Sequence, residues 1–142
     1  QHVTTKLANN NYYTFLHCSI MELAHTMLRV SDPEKVIQFY REAFGFELRR
    51  KSEKETFTLY FLRIPGQSID LELTYNHGKD TPYEKGKGFG HVAIRTDEDQ
   101  SLEDAYDKAV EAGGTDYRPP EECPGHYAFV KDPEGYEVEI LQ

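Results

Sequence analysis

Residues 22–30 read Glu-Leu-Ala-His-Thr-Met-Leu-Arg-Val. Alternation of side chains marks the stretch as a strand, which puts His25 and Arg29 on one face about 13 Å apart. That separation suits a metal ligand and an anchor for an extended substrate. After it, Ser31-Asp32-Pro33-Glu34 supplies a capping side chain, a proline for the first turn and an acid for the positive helix end. The helix so begun runs to about Phe44, with Val36, Ile37, Tyr40 and Phe44 at helical spacing and Gly45 as its stop.

Three strands are expected next: 46–50, 56–64 and 68–76. In the last, Ile69, Leu71, Leu73 and Tyr75 alternate with Ser68, Asp70, Glu72, Thr74 and Asn76. Its polar face either meets bulk water or lines a polar cavity, since Glu72 and Asn76 repeat the four-residue offset of His25 and Arg29. A connector over about 77–88 follows, and then the pattern restarts. Residues 89–96 form a strand carrying His91, 101–112 a helix ended by Gly113-Gly114, 115–118 a short strand, and 126–132 with 135–141 a hairpin turned by Asp132-Pro133-Glu134-Gly135.

The chain is therefore an α+β protein of two tandem βαβββ modules, about 21–77 and 88–142, within one domain over 21–142. Spacing supports the repeat: His25 and His91 lie 66 positions apart, Glu72 and Glu139 67. Each module carries a histidine on its first strand and a glutamate on its last, and pseudo-twofold packing would converge all four. Two neutral imidazoles and two carboxylates suit zinc, nickel, cobalt, manganese or iron better than calcium or magnesium. An octahedral ion so held keeps two positions, enough to chelate a substrate with neighbouring oxygens and ease loss of the proton between them. The other histidines lack this register: His2 and His17 precede the first module, His77 sits in a loop and His126 faces away from Tyr127 and Phe129.

Composition narrows the partners. A formal charge of −9 over 142 residues argues against nucleic acid and anionic membrane. Cys18 and Cys123, far apart and outside any Cys-x-x-Cys, fit reduced cytoplasmic thiols rather than a disulfide scaffold, and Cys123 lacks a histidine partner for nucleophilic work. No apolar run approaches the ~20 residues of a membrane span. Met21 is a plausible natural start, leaving residues 1–20 as an extension or cloning remnant.

The stretches His25-Thr26-Met27-Leu28-Arg29-Val30, Glu72-Leu73-Thr74-Tyr75-Asn76, Gly88-Phe89-Gly90-His91 and Ala128 to Tyr136 through Glu139-Ile140-Leu141 together resemble glyoxalase I, the lactoylglutathione lyases of the vicinal oxygen chelate superfamily. The resemblance covers 21–142. It implies the glyoxalase/bleomycin-resistance/dioxygenase-like fold and isomerisation of the methylglyoxal–glutathione hemithioacetal to S-lactoylglutathione. By the same carry-over, His25, Glu72, His91 and Glu139 hold one divalent metal, nickel or zinc foremost, cobalt or manganese next. Glu139 is then the principal base and Glu72 the complementary acid/base.

Arg29, Asn76, Lys87 and Arg118 match positions that hold glutathione, Lys87 keeping the charge of an arginine without its fork. The resemblance also implies a homodimer in which each site draws one histidine–glutamate pair from each chain. Tyr127 and Phe129 are read as hairpin core rather than methyl pocket. Three rivals stand beside this: an acyl-CoA epimerase of the same superfamily, an extradiol dioxygenase (disfavoured by the fourth ligand) and a non-catalytic drug-binding resistance protein. An acidic rim would suit a polyamine-conjugated thiol, whereas the basic residues suit glutathione's carboxylates.

Overall fold

The computed structural model describes residues 21–142, so the expectations for residues 1–20, His2, His17 and Cys18 included, lie outside the described residues. Module 1 comprises β1 (His25–Val30), α1 (Pro33–Phe44), β2 (Glu47–Glu53), β3 (Phe57–Arg63) and β4 (Asp70–Asn76). Module 2 repeats the order with β5 (His91–Arg95), α2 (Leu102–Glu111), β6 (Thr115–Arg118), β7 (Tyr127–Lys131) and β8 (Glu137–Leu141), with a 3₁₀ turn at Pro120–Glu122 that the sequence reading lacked. Each module makes its own four-stranded sheet, ordered β1-β4-β3-β2 and β5-β8-β7-β6. The first strand pairs in parallel with the last and the other neighbours are antiparallel.

Local chemistry sets the ends of the helices. Asp32 accepts from the Lys35 amide at 3.2 Å and Ser101 from the Asp104 amide at 3.1 Å, each satisfying a free first-turn donor. Gly45 closes α1 in the left-handed region, φ 72°, its amide donating to the Arg41 carbonyl. Gly114 answers a different need. A Cβ there would stand 2.7 Å from the Ala109 carbonyl oxygen and 2.9 Å from the Phe39 ring, so only glycine lets the chain leave α2 against α1.

One apolar cluster joins the modules: Leu28, Val30, Leu71 and Leu73 from the first sheet, Val130, Val138 and Ile140 from the second, with both helices between. The opposite face of each sheet is open. It carries His25, Met27 and Arg29 in β1, Glu72 in β4, His91 in β5 and Glu139 in β8.

The hairpin turn of module 2 does more than reverse the chain. Asp132, 1 % exposed, accepts from the Glu134 and Tyr136 amides and from the Tyr40 hydroxyl of α1. Buried Glu134 accepts from the Ser31 amide and hydroxyl on one oxygen and from the Tyr83 amide on the other, and the Tyr136 hydroxyl donates to the Arg29 carbonyl. These bonds tie the β7–β8 turn to the strand that bears His25.

Burial pushes Asp132 up to about 6 against the hydrogen bonds that pull it down. Because this lies above the unfolded value of 3.8, the group favours the fold fully only below about pH 4, and its contribution is lost as pH rises through about 6. Asp132→Asn is expected to flatten the pH dependence of unfolding between pH 4 and 7 by up to roughly 3 kcal/mol. Denaturant melts of both proteins across that range measure it; an unchanged slope in the variant would place the titration elsewhere.

Candidate active site

Parallel pairing of β1 with β4 brings His25 Nε2 to 3.0 Å from Glu72 Oε2, and the equivalent pairing in module 2 brings His91 Nε2 to 3.2 Å from Glu139 Oε2. Within the described residues of one chain the two pairs do not come together. Among the described residues no group of three or more His, Cys, Asp or Glu side chains gathers to hold a metal. The physical reason is the shared core: apolar faces of both sheets pack on the helices, so the two polar faces, with side-chain exposures of 46 % at His25 and 41 % at His91, remain open and separate.

Each half-site has a matching surround. Phe61 pairs with Glu72 across β3–β4 and meets the His25 ring edge-on, centroids 6.0 Å apart; Phe129 pairs with Glu139 and meets His91 at 5.2 Å. Phe129 and Tyr127 thus lie on the open face, while Ala128 and Val130 supply the hairpin's core. The carboxylates differ in one respect. Thr74 donates to Glu72 Oε1 at 3.2 Å, whereas the residue in its place on β8 is Leu141, which has no hydroxyl to offer Glu139.

Asp70, Glu72 and Thr74 are all buried, so along β4 the polar face is covered by neighbouring side chains, Arg49 and Arg63 on Asp70 and His25 beside Glu72, rather than meeting bulk water. Asp70 is bound by Arg49 at 2.8 Å and by Arg63, and the Arg49 guanidinium holds its carboxyl below the usual carboxylate range.

The four candidate thiol contacts are dispersed. Arg29 lies exposed on the open face of β1 and borders a cavity of about 210 Å³ with Met27, Tyr83, Lys85, Phe89 and Tyr136. Asn76 ends β4 and donates to the Tyr83 hydroxyl at 2.8 Å. Lys87 is exposed in the connector, and Arg118 ends β6 with its guanidinium 5.2 Å from the Phe129 ring centre. A cavity of about 550 Å³ beside Gly45, Pro65, Asp97 and Lys108 contains none of the candidate residues. His77 is structural, bonded through its ring to the Thr58 hydroxyl and the Glu55 carbonyl.

The donor set fits a borderline divalent ion. Imidazole nitrogen and carboxylate oxygen bound side by side at about 2.1 Å stand about 3 Å apart, close to the separation in both pairs.

Residues 22–140 match the family model for the Glyoxalase/Bleomycin resistance protein/Dioxygenase superfamily. The chain belongs to that superfamily. Within it, the chain is 42 % identical over 127 residues to a probable lactoylglutathione lyase of Vibrio cholerae, covering 84 % of this chain and 89 % of that protein. It is 41 % identical to the lactoylglutathione lyase of Haemophilus influenzae, over 86 % and 93 %. The trypanothione-dependent glyoxalase I of Leishmania major superposes with a TM-score of 0.74 at 31 % identity, covering 87 % of each chain. The superfamily fold accounts for the two βαβββ modules and their sheets.

Proposed function

We infer that this chain is a metal-dependent lactoylglutathione lyase, converting the hemithioacetal of methylglyoxal and glutathione to S-lactoylglutathione. The observation that carries the inference is the duplicated histidine–glutamate pair, set in the same sheet position of both modules, in a chain whose relatives bear that name. Two chains are needed to complete a site: the open face of module 1 from one chain meets the open face of module 2 from its partner. Exposed Met27, 38 % accessible beside His25, supports burial of this face against a second copy.

In the assembled site His25, Glu72, His91 and Glu139 would hold one divalent ion, with nickel or zinc foremost by ligand type. When bound, the ion polarises neighbouring substrate oxygens and lowers the barrier to removing the intervening C–H proton. Glu139 takes that proton from the thiol-bearing carbon and returns it to the adjacent one. Its second oxygen has no counterpart to the Thr74 hydroxyl that engages Glu72, which leaves it the better placed to move a proton. Glu72 serves the complementary face. Arg29, Asn76, Lys87 and Arg118 take the thiol's polar groups. No helix among the described residues is long and apolar enough to cross a membrane, and a cytoplasmic pool of reduced thiol fits the reaction.

The test is metal removal. Chelator-treated protein is expected to lose thioester formation from methylglyoxal and glutathione, and to regain it with nickel, zinc, cobalt or manganese added singly. Full turnover after complete stripping would end the reading. Faster turnover with trypanothione than with glutathione would reassign the thiol and leave the chemistry in place.

A further inference from the structure

Two strands away from each glutamate the open faces carry the same unassigned feature. In module 1, Glu72 pairs with Phe61 and Phe61 with Arg50; in module 2, Glu139 pairs with Phe129 and Phe129 with Arg118. Phe61 to Phe129 and Arg50 to Arg118 are both 68 positions, so the ladder is duplicated along with the ligands.

Each ladder also contains the same irregularity. The register of β2 shifts between Leu48 and Arg50, and that of β6 between Asp116 and Arg118, so one extra residue precedes each arginine. A bulge re-aims the side chain that follows it. Here it returns the guanidinium to the open face, where Arg50 stacks 3.9 Å from the Phe61 ring centre and Arg118 5.2 Å from that of Phe129. Neighbouring cations have anionic partners: Arg49 is bound to Asp70 and Lys51 to Glu53. Among the described residues no carboxylate lies within ion-pair distance of Arg50 or Arg118 in a chain with a charge of −9.

We propose that Arg50, held by its bulge and by the Phe61 ring beside the His25–Glu72 half-site, is a specificity residue that binds a carboxylate of the hemithioacetal. This rests on the lyase reading above. Stacking fixes the plane of the guanidinium while leaving its N–H edge free, the arrangement that bidentate carboxylate recognition requires. A tripeptide thiol reaches about 7 Å to either side of its central residue, of the same order as the two strand spacings, about 10 Å, from the carboxylates to the stacked arginines. Arg50 and Arg118, brought in by different chains, would bracket the thiol.

The experiment compares the metal-loaded wild type with Arg50→Met, which keeps an apolar cover on Phe61, and Arg50→Lys, which keeps charge without the fork. Substrates are methylglyoxal with glutathione, methylglyoxal with the diethyl ester of glutathione, in which both carboxylates are blocked, and a 2-oxoaldehyde bearing a terminal carboxylate with glutathione. Arg50→Met is expected to lose about tenfold to a hundredfold in kcat/KM with glutathione, mainly through KM. Lysine should restore part of the loss, and the ester should remove most of the difference between variant and wild type. A loss confined to the acidic aldehyde would assign the bound carboxylate to the other half of the substrate. Equal kcat/KM in all arms, or one common factor of loss in all arms, would overturn the proposal. Wild-type turnover with glutathione and methylglyoxal checks the lyase reading separately.

Discussion

Glu139→Gln is expected to lower kcat by at least a hundredfold while leaving the unfolding midpoint within a few degrees of the wild type. The side chain is 18 % exposed and its one charge partner among the described residues is His91, so the amide fits without leaving a buried charge unmatched. What it removes is proton affinity. A positioned carboxylate base contributes about 10²–10⁴ in rate, and an amide oxygen cannot carry the proton between two carbons.

The matched variant Glu72→Gln separates the two glutamates. Its oxygen already accepts from Thr74, and it stands at 11 % exposure, so its loss falls more heavily on metal retention and stability than on the chemical step. Metal content measured alongside kcat distinguishes these cases. Near-normal kcat in Glu139→Gln at full metal occupancy would reject Glu139 as the base.

Some of this molecule is readable from the residues in order, because the signals are local. Asp32, Pro33 and Gly45 bound α1 by chemistry confined to one turn, and the repeat of His25 and Glu72 at His91 and Glu139 requires only counting. Strand ends drifted where the alternation continued past the ladder: Phe89 and Gly90 precede β5 rather than opening it, the Phe89 ring packing on Tyr136 instead. Features set by distant partners were not legible.

Asp132 and Glu134 look like ordinary turn residues until Tyr40, Ser31 and Tyr83 are brought to them from the first module. Phe61 and Arg50 acquire meaning only once β2, β3 and β4 are side by side and a bulge has shifted the register. Phe129 is buried, as the hairpin-core reading expects, but outside the cluster that joins the modules. An aromatic residue in an apolar strand looks like core, but the pleat sends it to the face that carries His91. The four-ligand register is a pattern and not yet a geometry, since equal spacing along one chain cannot say whether the two halves meet each other or meet a second copy.

Mixing two inactive variants decides that question with a number. His25→Ala and His91→Ala are each expected to be nearly inactive as homodimers, because every site in either would lack an imidazole ligand. After unfolding and refolding together in equal amounts, half of the dimers are expected to contain one chain of each kind. In such a dimer one site combines both damaged modules, while the other joins the intact module 1 of the His91→Ala chain to the intact module 2 of the His25→Ala chain. One of its two sites is therefore wild type, and the mixture should recover about a quarter of wild-type activity per chain. Sites formed within one chain would recover nothing, since each chain keeps its own lesion. The separation of the two histidine–glutamate pairs on open sheet faces favours the quarter. Refolding either variant alone supplies the baseline, and an activity that stays at that baseline in the mixture, with dimers verified by mass, would remove the shared site from the account.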